Sequence, residues 1–287
     1  MIWELVVAPF IDFGFMRRAL LGCVAVSVGA TPVGVFLMLR RMSLTGDAMA
    51  HAMLPGAAIG YLISGLSLSS MTIGGLIAGM VVALTSGLVA RVTAITEDAS
   101  LAAFYLISLA AGVLIVSTRG SNVDLLHVLF GSVLALDDAA LMLLCSFATI
   151  STLTLAWLLR PLVLECVDPQ FLRSVSRLSA ITHFIFLALV VINLVAGFHA
   201  LGTLMAVGIM ILPATAARFW ATSIVGLIVV AALIAIFSSV IGLLLSFYYS
   251  LPSGPAIILI VGIGYILSLI FGPVGGVIMQ ALPRQKI

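Results

Sequence analysis

Apolar stretches of about 20 residues, the length a helix needs to cross the hydrocarbon core of a bilayer, recur along this chain. They lie near 19–39, 46–65, 70–91, 98–118, 137–159, 179–198, 201–217, 222–246 and 254–272. In lipid every backbone N–H and C=O must be satisfied within the protein, so only helices and closed barrels can span. Stretches of this length suit helices, because a spanning strand needs only about ten residues. The chain is 63% hydrophobic and 8% charged, against about 25% charged in a soluble domain, so it cannot cover a water-facing surface of its own size. The expected fold is all-α: a polytopic membrane protein of about nine transmembrane helices. A weaker apolar stretch, 123–135, is too short to span and reads as re-entrant or interfacial.

The organisation expected is one transmembrane domain, 1–287, with no soluble appendage. Residues 1–18 read as an interfacial segment, with Trp3, Val6, Val7, Phe10 and Phe13 for the lipid boundary. Glu4 and Asp12 precede Arg17 and Arg18, so no positive leader opens a signal peptide. Residues 160–178 form a cytoplasmic loop too short to fold alone. Basic residues set the orientation. With the N-terminus outside, nine of the twelve fall inside: Arg40, Arg41, Arg91, Arg160, Arg173, Arg177, Arg218, Arg284 and Lys286. Arg17, Arg18 and Arg119 remain outside.

Several chemistries are excluded. The single lysine, Lys286, sits at the extreme C-terminus, so no phosphate-binding G-x-x-x-x-G-K-[ST] loop exists and any ATP must be hydrolysed by a partner. H-E-x-x-H and G-x-S-x-G are absent too. The chain is therefore not expected to be an enzyme. Net charge is +2 with no basic run, which argues against nucleic acid. Cys23, Cys145 and Cys166 are scattered, and neither a disulfide framework nor a zinc finger follows from them.

Ten acidic residues are present, and nine fall in loops, at span ends or in the N-terminal segment. Asp47 is the exception, and a carboxylate within an apolar span costs about 3 kcal/mol on insertion scales. His51 follows four residues later, on the same helical face. A carboxylate and an imidazole so placed can converge on one cation, and imidazole favours first-row transition metals. Pro55 and Gly56 come next. Proline leaves the carbonyl of His51 without its helical donor, so a helix break is expected beside the pair, where transporters tend to hold ions. Another reading makes Asp47 a first-turn residue favoured by the helix dipole, with Thr45 as the cap and His51 a packing residue. His127 and His199 could meet incoming metal but each stands alone, and His183 reads as structural. In the cytoplasmic loop Asp168 suits an N-cap and Pro169 the first helical position. A helix over 169–177 carries Arg173 and Arg177 on one face and could dock on a partner or lie on lipid headgroups.

The run Arg40-Arg-Met-Ser-Leu-Thr-Gly-Asp47-Ala through His51 and Leu54-Pro-Gly56 resembles the signature of permeases of manganese/zinc/iron-type ABC importers. Val167-Asp-Pro-Gln-Phe171 is similar to the family's coupling segment F-D-P-x-F, with Val167 in place of its phenylalanine. Ile211–Arg218 and Leu251–Ala256 resemble two further stretches of the family, in consistent order from about residue 15 to 273. The resemblance implies a permease of the bacterial cytoplasmic membrane, paired with a second copy or a second permease. It also implies two cytoplasmic ATP-binding subunits and an extracytoplasmic metal-binding protein. Asp47 and His51 would line the path and hold Zn²⁺, Mn²⁺ or Fe²⁺ as transported substrate. Asp168, Pro169, Gln170, Phe171, Arg173 and Arg177 would contact the ATPase. Two alternatives remain: an ABC permease for a siderophore or corrinoid chelate, and a proton-coupled secondary transporter using Asp47.

Overall fold

The computed structural model describes residues 2–65, 67–118, 133–168 and 178–281. Two short helices, α1 (Ile2–Val6) and α2 (Ala8–Asp12), lead into α3 (Gly14–Leu39). Then come α4 (Thr45–Ala52), α5 (Leu54–Ser64), α6 (Leu68–Val92) and α7 (Glu97–Thr118). A 3₁₀ turn, Val133–Ala135, precedes α8 (Asp138–Val167), α9 (Leu178–Leu201) and α10 (Thr203–Ala217). The chain continues as α11 (Ile224–Tyr249), α12 (Ser253–Phe271) and α13 (Val277–Ala281). Among the described residues seven helices are long and apolar enough to cross a membrane. The broken α4–α5 pair and the 15-residue α10 occupy the other two expected crossings. Side-chain caps close two of the starts: Asp137 accepts from the Ala140 N–H at 2.8 Å and Ser223 from the Gly226 N–H at 3.1 Å.

α3 and α9 form the interior. In each, 72% of the spanning window is buried, against 17–33% in the other five long helices. Lipid tails are as apolar as leucine, so helices associate here through close packing and interhelical hydrogen bonds rather than through hydrophobicity. α3 meets α8, α9, α10 and α11, and its glycines set how closely. A Cβ at Gly29 would lie 2.9 Å from Ala148 Cα on α8, and one at Gly34 would run into the Met210 carbonyl on α10. A buried polar clasp joins three helices at that level. Asn193 Nδ2 donates to Ser151 Oγ (2.7 Å) and to the Leu189 carbonyl (2.8 Å), and Ser151 Oγ donates to the Gly29 carbonyl (3.3 Å). Leu259, Ile263, Ile266 and Leu267 on α12 point outward, as side chains facing lipid would.

Contacts between helix ends show that the crossings alternate. Arg40 after α3, Arg91 in the last turn of α6, Glu97 at the start of α7, Glu165 late in α8 and His183 early in α9 meet at one end. Leu39, Arg218, Phe219, Ile224 and Val274 line a cavity of about 490 Å³ that gathers the ends of α3, α10 and α12 with the start of α11. At the other end Arg18 of α3 pairs with Asp138 of α8 at 3.2 Å. The chain reverses between α9 and α10 through the single residue Gly202, at φ 86° and ψ 160°, a backbone region that is essentially glycine's alone. Two boundaries differ from the sequence reading: α3 begins at Gly14, within the 1–18 segment expected to be interfacial, and the loop after α8 begins later. Residues 160–167, expected in the cytoplasmic loop, are helical, because α8 continues through Pro161 to Val167. The 123–135 stretch lies outside the described residues except for Val133–Ala135.

Candidate functional site

The site begins with a tight turn. Leu39 closes α3, the Arg41 N–H donates to the Met38 carbonyl (3.1 Å) and the Met42 N–H to the Leu37 carbonyl (2.8 Å). This is the Schellman pattern of a helix end, and its left-handed position, usually glycine, is Arg41 at φ 60°. The reversal sends the chain back as α4, whose N-cap is Leu44 without a side-chain bond. Thr45 is not the cap: it lies inside the first turn, and its buried Oγ1 has no hydrogen-bond partner among the described residues. Gly46 is held against α10, where a Cβ would stand 2.7 Å from Met210 Cε and 3.1 Å from Ile211 Cδ1.

Asp47 and His51 then share one face of α4, with Oδ1 and Nε2 3.8 Å apart. That is beyond hydrogen-bond reach, yet a gap that bonds of about 2.0–2.2 Å to one ion can bridge. The Asp47 side chain is 66% exposed and that of His51 33%, so both are open to a species arriving from outside the protomer. Among the described residues no third His, Cys, Asp or Glu joins them.

The helix breaks at Met53, two residues before Pro55. Ser108 Oγ on α7 donates to the Ala52 carbonyl at 2.8 Å, a side chain supplying a donor at the break, as membrane helices require. Gly112 on α7 lets Pro55 approach, with a Cβ there only 3.1 Å from the Pro55 nitrogen. Beyond the break, α5 packs backbone to backbone on α6. A Cβ on Gly56 would collide with the Gly74 carbonyl, and one on Gly60 with the Ser70 carbonyl. Small residues four apart are what such a seam needs. The break is thereby clamped from α6 and α7.

The other sequence candidates are dispersed. His127 lies outside the described residues, as do Pro169, Gln170, Phe171, Arg173 and Arg177. Asp168 is the C-cap of α8, its N–H donating to the Leu164 carbonyl at 2.9 Å. His199 is in α9. His183 is buried, with Nδ1 2.7 Å from Arg40 Nη2 and Nε2 3.0 Å from Glu97 Oε1. Glu165 is a correction: read as a loop residue, it is 3% exposed inside α8 and 3.3 Å from Arg40. A signal for it existed. The buried positions Ser151, Leu155, Leu158, Leu162 and Glu165 follow the alternating four-and-three spacing of one helix face.

With this geometry in place, comparison with known proteins is informative. The model of the ABC 3 transport family matches residues 12–272. The chain belongs to that family. It is a multi-pass membrane permease subunit, the part of an ABC transporter that is not itself an enzyme. This ABC 3 permease is 30% identical over 271 residues to the manganese transport system membrane protein MntC of Halalkalibacterium halodurans, covering 94% of this chain and 91% of that one. It is 27% identical over 271 residues to the chelated iron transport system membrane protein YfeD of Yersinia pestis, covering 94% and 90%. Its fold is similar to that of PsaBC from Streptococcus pneumoniae, solved in complex with Fab, with TM-score 0.83 and 26% identity over 98% of this chain and 100% of that one. Within the ABC 3 permease, the stretch Ile211–Arg218 belongs to α10 and its continuation, and Ile211 itself reaches Gly46, next to Asp47.

Proposed function

We propose that this chain is the membrane path of an importer for a divalent transition-metal ion, with manganese the leading substrate. The observation that carries the reading is the Asp47–His51 pair, two ionisable ligands on one helix face beside a clamped helix break. The similarity to MntC, a manganese transport system membrane protein, supports manganese. A second copy of the chain would bring a second Asp47 and His51. Two carboxylates and two imidazoles suit manganese with bidentate carboxylate or water completing its shell, and would also hold zinc or ferrous iron.

The orientation follows from charge. Arg40, Arg41, Arg91, Arg160 and Arg218 belong with the end at which α3, α6, α8 and α10 finish, and cytoplasmic loops are the basic ones. That end faces the cytoplasm, with the N-terminus outside. Metal is delivered at the outer face by an extracytoplasmic binding protein and released inward. The segment Asp168–Arg177, directly after α8, contacts the partner ATPase that drives the cycle. Residues 1–287 act as one transmembrane unit. The likeness to YfeD leaves iron as a second substrate, and the ligand pair favours a bare ion over an intact chelate.

The test is metal accumulation in metal-starved cells that co-express the chain with its ATPase and binding protein, read by elemental mass spectrometry. Wild type should accumulate manganese and Asp47→Ala should not, at equal expression and assembly. Equal accumulation by both would remove Asp47 from the path, and competition by intact chelate rather than free metal would move the reading to chelate transport.

A further inference from the structure

Away from Asp47 and His51, five ionisable side chains from five helices meet at the end assigned to the cytoplasm. Arg40 Nη2 lies 3.3 Å from Glu165 Oε1, and Arg91 Nη2 approaches the same oxygen at 3.9 Å. Arg40 Nη2 also donates to His183 Nδ1 at 2.7 Å. The proton of the His183 ring is thereby placed on Nε2, which faces Glu97 Oε1 at 3.0 Å. The Arg40 guanidinium is 4.9 Å over the Phe186 ring, and that of Arg91 5.5 Å over Phe184. Glu165 and Arg40 are 3% and 9% exposed. A cavity of about 490 Å³ lined by Arg40, Arg41, Met42, Glu97, Asp98 and Glu165 adjoins them.

Buried ion pairs are poor sources of stability, because the desolvation cost rivals the attraction, and their best-attested use is to specify one arrangement over others. The positions here indicate what is specified. Glu165 is three residues before Asp168, where the proposed ATPase-contacting segment begins. Arg40 is seven residues before Asp47, and backbone hydrogen bonds tie the link between them to the ends of α3 and α4. Met42 bonds back to Leu37, Thr45 to Met42 (3.0 Å) and Ala48 to Leu44 (3.1 Å). Glu165 is therefore joined to the α4 turn by one ion pair and one short hydrogen-bonded hairpin. Glu165 Oε2 and Arg40 Nη1 are buried without a hydrogen-bond partner among the described residues, which leaves each group capacity to re-pair when the helix ends shift.

Resting on the import reading, we propose that Glu165 and Arg40 are positioning residues that transmit movement of the Asp168 end of α8 to the hairpin carrying Asp47 and His51. Glu165 does not touch the metal. It sets whether ATP hydrolysis in the partner is converted into movement of the site.

The experiment uses the assembled transporter with its ATPase and binding protein in proteoliposomes, with Mn²⁺ as probe and uptake and ATP hydrolysis followed in the same vesicles. In Glu165→Gln the manganese taken up per ATP hydrolysed should fall roughly tenfold, the scale of a typical coupling between sites, while hydrolysis continues. The milder Glu165→Asp, which keeps the charge on a shorter stem, should give an intermediate ratio, and it serves as the decisive variant if Glu165→Gln does not assemble. An unchanged ratio overturns the proposal. So does a parallel loss of uptake and hydrolysis, the mark of a purely structural role. Wild type that hydrolyses ATP without moving manganese would overturn the import reading itself. Normal wild-type uptake, abolished by Asp47→Ala and fully coupled in the Glu165 variants, would overturn only the transmission.

Discussion

Gly56 tests whether the clamp around the helix break is set by backbone contact. In Gly56→Ala the added methyl would meet the Gly74 carbonyl and would lie 2.6 Å from Ala78 Cβ, about 1 Å inside the optimal separation of two carbons. The contact is reciprocal, since a Cβ on Gly74 would strike the Gly56 carbonyl. Neither obstruction is the free end of a side chain, so relief requires α5 and α6 to move apart along the seam. Overpacking of this kind costs about 1–3 kcal/mol. Gly264 on α12 is the internal control, because a Cβ there meets nothing within 4 Å. Gly264→Ala should be neutral or stabilising by up to about 1 kcal/mol, the helix preference for alanine over glycine. The assay is thermal unfolding of the detergent-solubilised protein followed by tryptophan fluorescence, with manganese uptake in parallel. Gly56→Ala should lower the midpoint and, by moving the Pro55 end of the break away from α7, reduce uptake. Gly264→Ala should do neither. Equal shifts for the two variants, or a higher midpoint for Gly56→Ala, would refute the packing argument.

Two further outcomes follow from backbone geometry. Arg41 holds φ 60° at the end of α3, where a residue with a Cβ costs roughly 1–2 kcal/mol. Arg41→Gly should therefore raise the unfolding midpoint and Arg41→Val lower it, and the opposite order would remove the strain from the account. Gly202→Ala at φ 86° should destabilise by about 1–3 kcal/mol. It should also open the α9–α10 reversal, measurable as a lower midpoint together with faster proteolysis between the two helices.

The all-α, many-span architecture was legible in the sequence because bilayer thickness imposes it directly, and among the described residues seven helices are long and apolar enough to cross. The positions of Arg40, Arg91 and Arg218 relative to the apolar runs already implied an alternation that helix-end contacts reproduce. Which face of each helix turns inward was not legible. In water an apolar stripe marks the core, but here the outward residues of α12, such as Leu259 and Ile263, are as apolar as the buried Ile257 and Val261. The discriminating residues are the small ones, Gly29 and Gly34 on α3 and Gly56 and Gly74 at the α5–α6 seam. Their role becomes visible only once the neighbouring backbone is in place.

Asp47 and His51 stood out because a lone carboxylate in an apolar span needs a reason, and i,i+4 spacing is local information. Glu165 had an equally strong reason and escaped notice, since Arg160 and Pro161 look like the end of a span. Proline does not end a membrane helix when neighbours re-satisfy the freed carbonyl, and α8 carries its buried face one turn further. The partners of Glu165 lie 125 and 74 residues away in sequence, at Arg40 and Arg91, so no local pattern could reveal the network. The two clusters thus differ in kind. The proposed ligand pair is built on one face of a single helix, so its geometry does not depend on how that helix packs against its neighbours. The ion network is built across five helices, so its distances change whenever those helices move relative to one another. On the proposed reading, a device that binds must keep its shape through the transport cycle and one that transmits must not, which is the difference in construction expected between the two clusters.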